Sequence, residues 1–159
     1  MKTYKQQIRK QEMKIYTVDF EEIIKKFHPY VEQMRELDKF KSDHYTDIDN
    51  IKKEMDKIIS ASKSGLILDE SMKQQYTVKF RELQVEGSSK ENLFRTEAAE
   101  MQSRIMEDNF NEISLIIDEY CKSRKIDMVV SRSQVVFVDK AYDLTEYIND
   151  IILEKGLAV

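Results

Sequence analysis

From Pro29 to Lys125 this chain offers little at which a polypeptide can turn, with only Gly65 and Gly87 interrupting. The whole sequence holds three glycines and one proline, and charged residues make up 35 % of it. Gly and Pro are the strongest local breakers, so this composition calls for long helices rather than a loop-rich globule. The two ends read differently. The chain opens on KIYTVDFEEIIKKF (Lys14–Phe27), with a β-rich run at Ile15–Val18. It closes on IDMVVSRSQVVFVDKAYDLTEYINDIIL (Ile126–Leu153), where Met128–Val130 and Val135–Val138 flank the polar stretch Ser131–Gln134. Isolated short strands are not stable, so the two ends must meet while the helical stretch leaves and returns. The expected fold is therefore α+β in a single domain. Strands at 15–18, 128–130 and 135–138, the last two as a hairpin, would build a small β-body carrying a long antiparallel helical-hairpin arm.

The helical boundaries follow from local chemistry. Asp19 with Glu22 three residues on has capping-box spacing, and Phe20, Ile23, Ile24 and Phe27 then recur at helical steps. Pro29 disfavours helical geometry at His28 and suits the first turn of a new helix. That outgoing helix carries a seam at Met34, Leu37, Lys41, His44, Ile48, Ile51, Met55 and Ile58, steps of three and four with two polar interruptions. SASKSG (Ser60–Gly65) is the break, Gly65 suits the C′ position, and Asp69 is the expected cap of the return helix. Its stripe runs Met72, Tyr76, Phe80, Leu83, Gly87, Glu91, Phe94, Ala98, Met101, Ile105, Asn109, Ile113, Ile116 and Tyr120. The mean step of about 3.7 lies nearer an eleven-residue repeat than a heptad. Gly87-Ser88-Ser89 is the expected weak point, where a bend or fraying is anticipated. The helix should end near Ser123–Lys125. Asp143 and Glu146 repeat the capping-box spacing before a last helix that Gly156 terminates.

Charge and cysteine usage exclude several classes. The net charge is −4, so no global field recruits nucleic acid. Cys121 is the single cysteine, which excludes an intrachain disulfide and the cysteine-rich zinc and haem motifs. No apolar run approaches membrane-spanning length. Residues 1–14 carry five basic side chains against one acid, yet hold no apolar core of a signal peptide. Either a leader was removed or the protein is leaderless. This basic extension is a candidate for contact with an anionic membrane, with a tail or helical extension as the plainer reading. Tyr4, Ile8 and Met13 are too few for an amphipathic helix.

Both ends resemble the Skp/OmpH family of periplasmic outer-membrane-protein chaperones. The shared pattern is Asp127-Met128-Val129-Val130, then Val136-Phe137-Val138, then Asp143-Leu144-Thr145, preceded at the front by KIYTVDFEEIIKKF. The order of elements covers the whole chain, the residue-level match only the ends. The resemblance implies a homotrimer. Segments 15–28 and 126–159 would form the trimerisation body, with Ile15, Val18, Met128, Val130, Val136, Val138, Ile148, Ile151 and Ile152 inside it. Residues 29–125 would form a tentacle with its tip near 60–69, and three tentacles would enclose unfolded outer-membrane proteins. No cofactor, ATP or catalysis is implied. The chain departs from the pattern in its acidic balance and in lacking a counterpart of the basic lipopolysaccharide site proposed for some members.

A holdase needs many weak contacts to chains without fixed structure, and Met and aromatic side chains repack to supply them. Met55, Ile58, Ile59, Leu66, Ile67, Leu68, Met72, Tyr76 and Phe80 cluster around the expected tip as client-binding candidates. Lys52, Lys53, Lys57, Lys63, Lys73, Lys79 and Arg81 form an electrostatic rim that would steer acidic clients in a salt-dependent way. The competing reading is that these apolar residues seal the two-helix seam, least so for Leu66–Leu68. His28 reads as structural. His44 reads as a register-setting seam residue or a solvated one, and neither histidine has a metal-binding cluster. Cys121 reads as a buried thiol, with an interchain disulfide as the alternative. No carboxylate pair suggests acid–base work. Two other functions fit the pattern: a structural coiled-coil adaptor or assembly factor, cytoplasmic or membrane-associated, binding one folded partner, and a membrane-surface or conjugation-apparatus component built on the same OmpH-like body. An enzyme is disfavoured, because no nucleophile, phosphate loop or metal cluster is recognisable.

Overall fold

The computed structural model describes residues 13–65 and 69–159. Strand β1 (Ile15–Val18) leads into helix α1 (Phe20–Lys26) and then α2 (His28–Lys63). Helix α3 (Glu70–Arg124) follows, then strand β2 (Met128–Ser131) and helix α4 (Thr145–Glu154). The chain divides into two compact units. One joins the chain up to Glu32 with Met106–Val159, and the other is Gln33–Ile105.

In the first unit β1 pairs with β2 in parallel, Ile15 opposite Met128 and Val18 opposite Ser131. A parallel pair needs a crossover connection, and here the whole helical excursion supplies it. The expected hairpin of 128–130 with 135–138 does not form. Arg132–Gln134 makes a 3-10 turn instead, and the stretch Ser131–Gln134 lacks the Gly or Asn that a tight hairpin turn requires. Among the described residues Val135–Val138 has no strand partner. The place of a third strand is taken by a single parallel bridge, Thr17 to Asp143, with the Leu144 amide donating to the Thr17 carbonyl at 2.8 Å.

The core of this unit gathers Val18, Ile23, Ile24, Phe27, Ile113, Ile116, Leu144, Ile148 and Ile152. Alternation along β1 turns Val18 inward, and the spacing of Ile23, Ile24 and Phe27 places α1 on the same core. Phe27, fully buried, takes extended geometry (φ −83°, ψ 112°) between two helices. The break thus falls at Phe27, and His28 is already helical. The restriction imposed by Pro29 is a preference, overridden here because the His28 amide donates to the Leu157 carbonyl at 2.7 Å. Asp19 caps α1 as expected, its Oδ1 accepting the Glu22 amide at 3.0 Å. The reciprocal half of the box is absent, since Glu22 binds Lys26 and Asn149 and the Asp19 amide donates to the Thr145 hydroxyl. Helix α4 begins at Thr145 rather than directly after Asp143, with Leu144 as its N-cap. Gly156 (φ +71°) ends it, its amide donating to the Leu153 carbonyl and that of Leu157 to Ile152. Lys125 (φ 54°) ends α3 in the same way, through Ile126 to Cys121, where glycine is the usual choice.

In the second unit the shares of α2 and α3 run antiparallel. Phe40 meets Phe94, His44 meets Glu91, Asp47 meets Lys90, and Ile51 lies beside Gly87. Seam positions Leu37, Ile51, Leu83 and Ile105 are buried, and their neighbours at three- and four-residue steps are half-buried. Helix α3 continues unbroken through Gly87–Ser89, with no gap in the helix at the expected weak point. Asp69 precedes α3 with its Oδ1 accepting the Ser71 amide at 3.3 Å.

Candidate functional surfaces

Where α2 ends and α3 begins, an open groove is lined by Ile58, Ile59, Ser62 and Lys63 from one helix and Lys73, Tyr76, Thr77 and Phe80 from the other. Ile58, Tyr76 and Phe80 are half-buried there, so their inner edges seal the seam and their outer edges line the groove. Met55, also half-buried, lies outside this groove, beside Ile51 and Leu83. Ile59 and Met72 are exposed. Leu66, Ile67 and Leu68 lie outside the described residues, as do residues 1–12 of the basic extension. Lys52, Lys53, Lys57, Lys63, Lys73, Lys79 and Arg81 are all exposed. Lys53 pairs with Asp49 at 2.6 Å and Lys73 with Glu70 at 3.3 Å. Such pairs are solvated and screened by salt.

His44 lies in the seam, with its side chain 8 % exposed. Its ring stacks parallel on Phe94 at 3.8 Å, and Nε2 is 3.1 Å from Glu91 Oε2. Beside it Lys90 bridges Asp47 at 3.1 Å and Glu86 at 3.5 Å. The hydrogen bond to Asp47 outweighs desolvation and holds the ammonium pKa above its ordinary value. His44 thus lies inside the seam rather than in solvent, in a polar layer of the kind that sets register between helices.

The sequence pattern missed a second line on α3. Val78 and Val85 are 57 % and 60 % exposed. At about 100° per residue they sit roughly 160° around the helix from Phe80 and Leu83. Ser71, Gln75, Ser89, Asn92, Thr96, Ala99 and Ser103 continue that line, all exposed and uncharged. Among the twelve positions Ser71, Gln75, Val78, Glu82, Val85, Ser89, Asn92, Thr96, Ala99, Ser103, Met106 and Phe110, only Glu82 is charged. In a chain so rich in charge, an exposed helix face with a single charged residue is a legible signal.

In the first unit the expected body residues divide. Val18, Ile148 and Ile152 are buried, and Val130, Val138 and Ile151 are half-buried. Ile15, Met128 and Val136 are not part of the interior of the single chain. Val136 is fully exposed at 106 % and Phe137 is 82 % exposed, while Ile15 and Met128 stand at the exposed start of the sheet. Among the described residues nothing covers Val136 and Phe137, and β2 keeps an open edge.

Asp143 links these parts. Burial alone would push its carboxyl upward. Hydrogen bonds from the Thr145 hydroxyl (2.6 Å) and amide (3.0 Å) and from Arg132 outweigh that and hold its pKa below the ordinary value. Cys121 is half-buried and free; burial, then the nearby Asp118, pushes its thiol up. Among the described residues no cluster of three or more His, Cys, Asp or Glu could hold a metal ion, and no helix is long and apolar enough to cross a membrane.

A small parallel sheet whose crossover is a long helical hairpin, with apolar side chains left bare at the sheet, defines a class of helical-hairpin proteins on an α+β body. The family model for OmpH-like outer membrane proteins matches residues 14–151. The chain belongs to that family. A solved structure from Caulobacter crescentus CB15, described as a candidate outer membrane chaperone (OmpH-like), has the same fold with a TM-score of 0.77. It is 10 % identical, and the match covers 90 % of this chain and 85 % of that one. No curated protein matches the sequence.

Proposed function

We propose that this protein is an ATP-independent holdase that binds unfolded outer-membrane proteins in the periplasm and keeps them from aggregating. The observation that carries the reading is the family match across residues 14–151, together with the shared fold. The working form is a homotrimer built through the first unit. A two-stranded sheet is marginal alone, and its open edge lies in the unit that leaves Val136 and Phe137 bare. Strand addition and burial of these side chains would cover both, at roughly 25 cal/mol per Å² of apolar surface before ordering costs.

Client contact falls to the helical-hairpin unit. The groove of Ile58, Ile59, Tyr76 and Phe80 and the line through Val78 and Val85, interrupted by Glu82, offer small, separated apolar sites. Weak contacts of this kind gain strength when three copies act together. The exposed lysines and Arg81 around the groove steer acidic clients, so capture weakens as salt rises. Residues 66–68 remain client-binding candidates, and the basic extension a candidate for anionic membrane contact.

The test is light scattering after a urea-unfolded outer-membrane β-barrel is diluted into buffer without ATP. Suppressed aggregation at one trimer per client, weakened by Val78→Asp with Val85→Asp, supports the reading. Continued aggregation at several-fold excess of assembled protein refutes it and favours an adaptor with one folded partner.

A further inference from the structure

Arg132 and Asp143 stand at the two ends of the segment that carries Val136 and Phe137. Arg132 opens the 3-10 turn after β2, and Asp143 follows a second such turn at Lys140–Tyr142. Arg132 Nη1 donates to Asp143 Oδ2 at 2.5 Å, with the Asp143 side chain only 16 % exposed. The other carboxylate oxygen accepts both the amide and the hydroxyl of Thr145. The Thr145 hydroxyl in turn accepts the Asp19 amide at 2.8 Å, and Asp19 caps α1. One hydrogen-bonded path therefore runs from the base of the segment to the buried framework, where Thr145 is 4 % exposed.

Without a strand partner among the described residues, this segment has no backbone ladder to define its course. Its apolar side chains would gain by folding back onto the body, yet both stand in solvent. Closing the base of the segment with a charge-assisted bond between two turns restricts the paths open to it. Ordering done before a partner arrives is not charged against association.

We propose that the Arg132–Asp143 pair is a clasp that pre-sets the Val136–Phe137 segment for pairing with a second copy of this chain. The inference rests on the self-assembly reading above. Arg132 and Asp143 are positioning residues, since they need not touch the second copy themselves.

Sedimentation equilibrium of the full chain tests this with Arg132→Gln and Arg132→Lys. The Arg132 side chain is 49 % exposed, so either replacement leaves the core intact, and circular dichroism of the dissociated chain checks that. Arg132→Gln is expected to weaken association by roughly tenfold, the effect of about 1.4 kcal/mol. Arg132→Lys keeps the charge and should recover most of that loss. An Arg132→Gln protein that assembles as tightly as wild type overturns the clasp while leaving self-assembly standing. So does an Arg132→Lys protein no better than Arg132→Gln. A wild type that stays monomeric overturns the self-assembly reading, and the clasp with it.

Discussion

Gly87→Ala should stabilise this protein. Gly87 sits inside α3, where helix propensity alone favours alanine by about 1 kcal/mol. Sterics decide whether that gain survives. A Cβ built at this position meets one neighbouring atom, Ile51 Cγ2, at 3.6 Å. That is ordinary van der Waals contact, so the methyl fits without moving α2 and adds a small apolar contact. The backbone there is helical, unlike Gly65 and Gly156 with their positive φ, so no conformational penalty opposes the change. The expected effect is a gain of about 1 kcal/mol, raising the melting midpoint by about 2–4 °C for a chain of this size. The assay is thermal and urea unfolding followed by circular dichroism at one fixed protein concentration, since assembly shifts apparent stability. An unchanged urea slope with a higher midpoint agrees with the argument. A lower midpoint refutes it, and shows that the helices must approach more closely at Gly87 than 3.6 Å implies. Unchanged stability with lost client binding would instead mark Gly87 as a working hinge.

Three further outcomes follow from the first unit. Phe27→Ala removes a fully buried ring at the junction of α1 and α2, and should cost about 3–5 kcal/mol in urea unfolding; a cost below 1 kcal/mol would place Phe27 outside the core. The Asp143 carboxyl has a lowered folded-state pKa, so its contribution is present above the unfolded value and is lost as pH falls through the folded one. Acid unfolding of Asp143→Asn should therefore show a weaker pH dependence below about pH 4 than wild type, whereas an identical acid profile contradicts the geometry. Cys121 should react with iodoacetamide at pH 8 more slowly than a free thiol and at a normal rate in urea, because burial raises its pKa; rapid native labelling would show the site open.

The helical half of the fold was legible because its determinants are local and repeated. Leu37, Ile51, Leu83 and Ile105 recur at helical steps, and all four are buried. Asp19 and Asp69 cap as their positions require. The β half was only partly legible. Ile15–Val18 and Met128–Val130 announce themselves by β-branched residues, but their parallel pairing is a long-range choice that no local pattern encodes. Val135–Val138 reads as a strand by the same rule and has no partner among the described residues. If a second copy supplies the partner, the sequence describes the assembly rather than the single chain. The groove residues carried two meanings, since Tyr76 and Phe80 seal a seam and also line a surface. The line through Val78 and Val85 is marked by scarce charge rather than by apolar spacing, so the periodicity of the seam does not reveal it.

The most direct test of a self-assembled holdase is sedimentation of the wild-type chain alone and with one unfolded outer-membrane β-barrel. The account predicts a trimer that dissociates on dilution, an unfolding midpoint that rises with protein concentration, and one client co-sedimenting per trimer in the absence of ATP. A stable folded monomer at every concentration, with no client bound, would contradict it.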